Sequence, residues 1–365
     1  MERREKDDGW MRVRRPSPPP LSHTLTLLKH AHHSTGALQD LRLPSVGLAC
    51  DLAAALPPLL ESAGPALRTL DLAGNGLSGD VAAVAAALGT GAPALAALFL
   101  AGNGLTGDLG SACGLAASPA LLSLDLTGNA GISGALPPCL ATEPRALHTL
   151  RLGGLSLAGS ALPGWAPSLT RIAAPGCGLT GELPQAYPLR LVSLDLARNG
   201  LAGPLPPALP ATTLCSLDLS ANALAGPIPP GYGEAKAATA VSLAGNALEG
   251  VLPAGWAYCP RLRALDVSAQ AGRGLNGSLH TDWAGAAALR SFNASRNGLW
   301  GPLPPSLLAA PALSSLDLSG NGLSGGLADV AASLPRDGAS LLRRLDLSGN
   351  PGFDASPLPS ASGLA

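Results

Sequence analysis

The chain has 365 residues, including 46 glycines and 35 prolines, but only 3% of its residues are aromatic. A hydrophobic core must therefore be built from aliphatic side chains, chiefly leucine and alanine. The 23 lysines and arginines nearly balance the 24 aspartates and glutamates, giving a net charge of −1. This balance argues against a nucleic-acid-binding protein or a protein drawn to anionic membranes.

The first 37 residues are charged and rich in proline, and no apolar segment of a secretory signal is visible in them. We predict that residues 1–37 form a disordered or partial leader. Three of its four histidines, His30, His32 and His33, are interpreted as part of this leader rather than as a metal tract. As the sequence stands, a cytoplasmic location is predicted, with the cytoskeleton or the ciliary axoneme as one option. A truncated N-terminus would make the protein secreted or exposed at the cell surface.

A leucine pattern, L-x-x-L-x-L-x-x-N-x-L-x-G, recurs from residue 38 to residue 355. LDLAGNGLSG from Leu70 and LDLSANALAG from Leu217 are two copies of its core. We number the units 1 to 13, and they begin at Leu38, Leu67, Leu95, Leu121, Leu147, Leu169, Leu191, Leu214, Ala238, Leu262, Leu289, Leu313 and Leu342. Such a repeat predicts one continuous array over residues 38–355. Residues 356–365 are predicted to be a flexible tail.

The L-x-L segment of each unit predicts a short strand whose leucines face the core. Stacked units would align these strands in one parallel sheet, since a single unit cannot bury its own leucines. The opposite side of each unit is predicted to be helical, 3-10 or a short second sheet. The alanine-rich segment that follows Asp80 favours a helix there.

Asparagine occupies the ninth position of most units, where the chain leaves the strand. Its amide could pair backbone groups that would otherwise be buried without partners. This structural asparagine column comprises Asn75, Asn103, Asn129, Asn199, Asn222, Asn246, Asn297, Asn321 and Asn350. Val46, Leu155, Cys177 and Gln270 replace it, and we predict that their units are looser or differently bent.

Several units continue as L-x-G-x-[LI]-P, as in LTGELP from Leu179 and LAGPIP from Leu224. This extended pattern resembles the plant-type leucine-rich repeat family, whose members include the ectodomains of receptor-like proteins and receptor-like kinases. The resemblance implies an α/β repeat solenoid, a horseshoe or superhelix of about 13 repeats with a parallel concave sheet. No kinase domain is present in these 365 residues.

The resemblance also implies a non-catalytic interaction scaffold for a protein, peptide or glycan, with receptor-like recognition and signalling as one role. An intracellular or axonemal structural adaptor is the alternative. Glycine motifs such as Gly74-x-Gly76-x-x-Gly79, which fit a dinucleotide fingerprint, coincide with repeat turns. We therefore predict no catalytic site, no cofactor, no metal, no nucleic-acid partner and no membrane span in this chain.

Candidate partner-binding residues are those that break the repeat pattern near the concave face with large or charged side chains. They are Phe99, His148, Arg151, Arg171, Arg198, Asn293, Arg296 and Trp300. Sequence drift on an unused face is the alternative explanation. Asn276 and Asn293 begin glycosylation sequons. The aspartate that recurs between the strand leucines is interpreted as part of the scaffold, solvated and bonded to neighbouring repeats.

Two further groups of residues follow the turns. Trp165, Trp256 and Trp283 take places that other units fill with a core leucine, so we predict that they are buried. Cys113 and Cys139 lie one repeat apart, and we favour two buried thiols over a disulfide between them.

Overall fold

The computed structural model describes residues 38–117, 119–137, 139, 146–162, 164–334 and 341–354. The predicted leader, its histidines and the predicted tail lie outside these residues. Within them, thirteen parallel strands, one for each predicted unit, form a single open sheet, the concave sheet. Its strands are β1 (Asp40–Arg42), β2 (Thr69–Asp71), β4 (Ala97–Phe99), β6 (Ser123–Asp125), β8 (Thr149–Arg151), β9 (Arg171–Ala173), β11 (Ser193–Asp195), β13 (Ser216–Asp218), β15 (Ala240–Ser242), β17 (Ala264–Asp266), β19 (Ser291–Asn293), β21 (Ser315–Asp317) and β23 (Arg344–Asp346).

A second set of parallel strands follows the turns after the concave sheet, and we call it the second sheet. It has a three-stranded part and an eight-stranded part. The first part contains β3 (Ser78–Asp80), β5 (Gly104–Asp108) and β7 (Gly131–Ser133). The other part contains β10 (Thr180–Glu182), β12 (Gly200–Gly203), β14 (Ala223–Pro227), β16 (Ala247–Val251), β18 (Leu275–Gly277), β20 (Gly298–Pro302), β22 (Gly322–Gly326) and β24 (Gly352–Asp354).

Leucines at equivalent positions hold the units together. Leu70 pairs in register with Leu98, and Leu98 with Leu124, so each strand places the same side chain over the core. All three are at most 3% exposed. The buried side chains form one cluster along the solenoid, because each unit covers the leucines of its neighbour.

Helices connect the units mainly at the two ends of the array. The α-helices are α1 (Leu52–Ala63), α2 (Val81–Gly91), α3 (Cys113–Ala117), α4 (Pro305–Leu308) and α5 (Leu327–Ser333). Shorter 3-10 turns span Gly64–Ala66, Leu109–Ser111, Pro230–Glu234 and Ala254–Tyr258. The helix predicted after Asp80 is confirmed as α2, and the Asp80 carboxylate accepts hydrogen bonds from the N–H groups of Ala82 and Ala83 at its start.

A glycine stands two residues after most second-sheet leucines, and at Gly107 it makes room for the preceding unit. Gly107 has a φ of +103°, and a Cβ there would overlap Asp80 Oδ2. We expect Gly107→Ala to cost about 2–4 kcal/mol, since it strains the backbone and displaces the carboxylate that caps α2. Gly226→Ala is the control, because its φ is +84° but no atom lies within 4 Å of the added Cβ. If both variants lose the same free energy of unfolding in urea, the contact with Asp80 has no effect on stability.

Cys113 and Cys139 form a disulfide, so the prediction of two buried thiols is wrong. Their Cα atoms lie 5.9 Å apart, within the usual range for a disulfide. One repeat of separation places the two cysteines on neighbouring units, which is what stacking alone could predict. Whether the two side chains also point at each other depends on the path of the connectors, which the sequence pattern does not define.

The second sheet is interrupted at unit 5, where Leu155 replaces the asparagine. Its two parts are continued there only by single bridges, Ser133 with Ser156 and Ala161 with Thr180. Leu155 has no side-chain amide to pair the turn. Among its described residues this unit therefore contributes no strand to the second sheet, whereas a looser or bent unit stays a prediction.

Candidate functional site

The asparagine column joins each unit to the one before it. The Asn129 amide donates to the Leu126 carbonyl oxygen at 2.8 Å in its own unit and to the Leu100 carbonyl oxygen at 2.9 Å in the preceding unit. Its Oδ1 accepts a hydrogen bond from the Leu105 N–H at 3.1 Å. The other members repeat this arrangement, as Asn246 does with Leu219, Leu243 and Leu224. These side chains therefore complete the backbone hydrogen bonding at the turns. They do not form part of the concave face.

Two of the residues that replace the column asparagine, Cys177 and Gln270, differ in how many of its hydrogen bonds they make. The Cys177 thiol donates only to carbonyls, at 3.1 Å to Leu152. Gln270 makes the full set of bonds, to the carbonyls of Leu243 and Val267 and from the Leu248 N–H. The prediction of a looser unit is therefore wrong for Gln270, because its longer turn accommodates the additional methylene group.

The strand aspartates are bound mainly within their own units. Asp266 Oδ1 accepts the Ser268 N–H at 3.0 Å and its hydroxyl at 2.6 Å, and Asp317 bonds Ser319 in the same way. The expected bonds to neighbouring repeats are therefore not the main ones. Oδ1 fixes the turn after the strand, while Oδ2 lies on the concave face, where that of Asp317 pairs with Arg344.

Asp195 and Asp218 are neighbours in this row, since the register pairs them directly. Burial raises the pKa of Asp195 above its ordinary value, and the Asp218 charge adds to this rise. The Ala197 N–H and Arg198 oppose it. Because the unfolded chain ionises first as the pH rises, this carboxyl lowers the folding stability progressively from its ordinary pKa to its raised pKa, and the loss persists at higher pH.

Asp195→Asn should therefore stabilise the protein at neutral pH, by less than about 1 kcal/mol for a half-exposed group. The amide oxygen can still accept the Ala197 N–H, as Asn293 does with the Ser295 N–H at 3.1 Å. The gain in stability should vanish in acid below the ordinary pKa, where the Asp195 carboxyl is neutral in both the folded and the unfolded protein. Urea unfolding at the two pH values checks this, and a gain that persists in acid would contradict it.

Most basic candidates are exposed on the concave sheet in units 5 to 7. Arg151 lies 3.6 Å from Asp125 Oδ2 in an ion pair. Arg171 stands in register between Thr149 and Ser193, and its side chain is exposed. The remaining two are exposed as well: His148 precedes β8, with its ring against the Ala146 carbonyl oxygen, and Arg198 follows β11 in a left-handed conformation.

Phe99, Asn293 and Arg296 are also on or beside the concave sheet. Phe99 is half-buried and stands in register between Asp71 and Asp125. Asn293 is half-buried, and its Nδ2 lies 3.4 Å from Asp266 Oδ2. Asn293 and Ser295 copy the aspartate–serine turn of other units, which accounts for that sequon. Arg296 is exposed beyond the end of β19, far along the array from Phe99.

Trp300 belongs to β20 of the second sheet, so the prediction that it lies near the concave face is wrong. Its side chain is 59% exposed. Asn276, the first residue of the other sequon, is exposed on the neighbouring strand β18. Of the three tryptophans predicted in the core, Trp256 and Trp283 are buried, while Trp165 is half-buried against it.

Sequence reasoning missed a group of exposed arginines at the second and third positions of the C-terminal units. They are Arg263, Arg290, Arg343 and Arg344. Aligning the units by position would have found them, because other units mostly carry neutral residues at these two positions. Departures from the strand aspartate do not reveal them, because that aspartate lies at the fifth position.

The described residues contain no group of three or more histidine, cysteine, aspartate or glutamate side chains that could hold a metal ion. None of their helices is long and apolar enough to cross a membrane. A cavity between Leu109, Leu124 and Leu150 has a volume of about 10 Å³, close to that of one water, with an apolar lining. This cavity is too small for a ligand larger than a water molecule.

Residues 312–334 match the family described as Leucine Rich Repeat. No curated protein sequence matches the chain significantly. Many solved structures do match. The plant peptide hormone receptor RGFR1, solved in complex with RGF2, is 26% identical with a TM-score of 0.64, over 85% of this chain and 51% of that one.

Two other structures show the same fold. The PEPR1–AtPEP1 structure is 24% identical with a TM-score of 0.72, over 86% of this chain and 45% of that one. A leucine-rich repeat protein of Leptospira interrogans is 21% identical with a TM-score of 0.61, over 93% of this chain and 78% of that one. The chain thus spans about half the length of RGFR1 and PEPR1. With its thirteen stacked units and open parallel sheet, it is a leucine-rich repeat solenoid similar in fold to the ectodomains of plant receptors.

Proposed function

We propose that the protein is a receptor-like recognition module whose concave sheet binds a peptide or an extended protein segment. The open thirteen-stranded sheet carries this proposal, because it presents exposed charged side chains on a rigid surface. The similarity to RGFR1, described as a peptide hormone receptor, supports a peptide as the partner. A binding role without catalysis agrees with these observations.

The disulfide between Cys113 and Cys139 supports an oxidising compartment, since such bonds persist in secreted and cell-surface proteins. The exposed sequon at Asn276 is compatible with the same location. We therefore favour the receptor-like role over the structural adaptor, for which none of the structures compared above gives support.

Peptide-library selection against the full chain tests this proposal. Selected peptides should bind the protein in calorimetry, and Arg151→Ala/Arg171→Ala should weaken at least some of them without changing the unfolding midpoint. Trp300→Ala is the matched control, because it removes a large exposed side chain from the second sheet. If binding depends on Trp300 and ignores every concave substitution, the recognition surface is elsewhere.

A further inference from the structure

Units 10 to 12 carry two rows of unlike charge on the concave sheet, with small side chains between them. We call this area the charged strip. The arginine edge is at the second position of each unit, the middle row at the third and the acidic edge at the fifth. The arginine edge contains Arg263, Arg290 and Ser314. The middle row contains Ala264, Ser291 and Ser315. The acidic edge contains Asp266, Asn293 and Asp317. Neighbouring strands are about 4.8 Å apart, and the two edges are separated by roughly 10 Å along the strands.

The two guanidinium groups of the arginine edge form no ion pair with a carboxylate of the described residues. The Arg290 N–H donates to the Arg263 carbonyl oxygen at 2.8 Å, so their backbones are adjacent. Both side chains are exposed, and in the part of the chain that the structure describes no carboxylate oxygen lies within 4.0 Å of either. Two like charges side by side repel each other, and an anionic group placed between them would relieve this repulsion.

At the acidic edge, Oδ1 of each aspartate is used within its own unit, while Oδ2 lies on the sheet with a different partner in each case. Oδ1 of Asp266 and Asp317 is used in the turns to Ser268 and Ser319. Asp266 Oδ2 contacts only the Asn293 amide, at 3.4 Å. Asp317 Oδ2 faces Arg344 at 3.7 Å, in the next unit.

Arg344 defines where the strip ends. It stands at the third position, in register with Ser315, where units 10 to 12 have the small residues Ala264, Ser291 and Ser315. Its guanidinium lies within 4.0 Å of carboxylates of Asp317 and Asp346. The alternation of an arginine edge, a small middle row and an acidic edge therefore stops at unit 13.

Building on the proposed function, we propose that the charged strip binds an extended peptide segment in which acidic and basic residues alternate. In an extended chain, successive side chains point to opposite sides, and the tips on the two sides are separated by roughly 10 Å. A peptide lying across the strands over the middle row thus directs its carboxylates to Arg263 and Arg290. Its basic side chains meet Asp266, which has no cationic partner within 4.0 Å among the described residues, and Asp317, whose carboxylate they share with Arg344.

The acidic edge also distinguishes a peptide from a nucleic acid. A polyanion over the arginine edge would bring its remaining phosphates close to Asp266 and Asp317, and like charges repel. A peptide of alternating charge satisfies both edges at once. The charge pattern of the strip therefore selects for sequence order in the partner as well as for its net charge.

Two labelled ten-residue peptides of identical composition test the proposal, one with glutamate and lysine alternating and one with five glutamates followed by five lysines. Fluorescence anisotropy with the full chain at low ionic strength should show at least ten-fold tighter binding of the alternating peptide. Arg263→Glu/Arg290→Glu should abolish this preference. Arg42→Glu/Arg68→Glu makes the same change in net charge at exposed positions of units 1 and 2 and should leave it intact.

Circular dichroism and unfolding midpoints should be unchanged in both double variants, because all four side chains are exposed. Equal binding of the two peptides, or equal loss in the two double variants, would overturn the strip. So would a short oligonucleotide that binds as tightly as the alternating peptide with the same arginine dependence. If library-selected peptides bind the concave sheet regardless of Arg263 and Arg290, the strip fails while the proposed function stands.

Discussion

Asn129→Ala should destabilise the protein by about 3–5 kcal/mol, the largest effect we expect from a single polar side chain. Asn129 is fully buried, and its amide group makes three hydrogen bonds to backbone atoms of units 3 and 4. Truncation leaves the Leu105 N–H and the two carbonyls without this partner, and each unpaired buried group costs about 1–3 kcal/mol. Chemical unfolding of purified protein measures the loss.

Asn276→Ala is the control for this substitution. Asn276 is exposed on the second sheet, so its truncation should change stability by less than about 0.5 kcal/mol. Asn129→Asp adds a further test, because it keeps an acceptor for Leu105 but loses both donated bonds. If Asn129→Ala unfolds at the same urea concentration as the unmodified protein, the asparagine column does not hold the units together.

Removing the disulfide should have the second large effect. Cys113→Ser/Cys139→Ser opens a loop of 26 residues, for which the chain-entropy argument gives about 3 kcal/mol. Each unit contacts only its neighbours, so we expect the early part of the array to unfold first. Thermal unfolding with and without reductant, together with limited proteolysis, measures this.

Cys215→Ser provides the comparison, since Cys215 is a free, half-buried cysteine in the middle of the array. It should leave the unfolding midpoint nearly unchanged and should keep the sensitivity of the protein to reductant. Mass spectrometry without reduction should find Cys113 and Cys139 linked in one fragment. Free thiols at both positions in protein from an oxidising compartment would contradict the bond.

The solenoid could be predicted from the sequence because its determinants are local and repeated. Every unit has its own leucines, such as Leu70 and Leu217, and burying them requires a neighbouring unit. The thirteen predicted units correspond to the thirteen strands of the concave sheet. The broken second sheet at Leu155 follows from the same rule, since a leucine cannot supply the missing amide.

The candidate site was less predictable, because surface positions are not constrained by the repeat. Trp300 breaks the pattern three residues after Asn297, but only the path of β20 shows that it lies on the second sheet. Arg263 and Arg290 become a site only when their strands lie side by side. Gln270 shows the same limit, since a longer turn lets a different side chain make the asparagine bonds.

Photo-cross-linking tests the central claim most directly, namely that the concave sheet is the recognition surface. A library-selected peptide with a photoreactive residue is irradiated in complex with the full chain, and the modified residues are identified by mass spectrometry. We predict that they lie in or beside the concave strands, such as β8 (Thr149–Arg151) or β19 (Ser291–Asn293). Modification confined to the second sheet around Trp300, or to the connectors, would contradict the account.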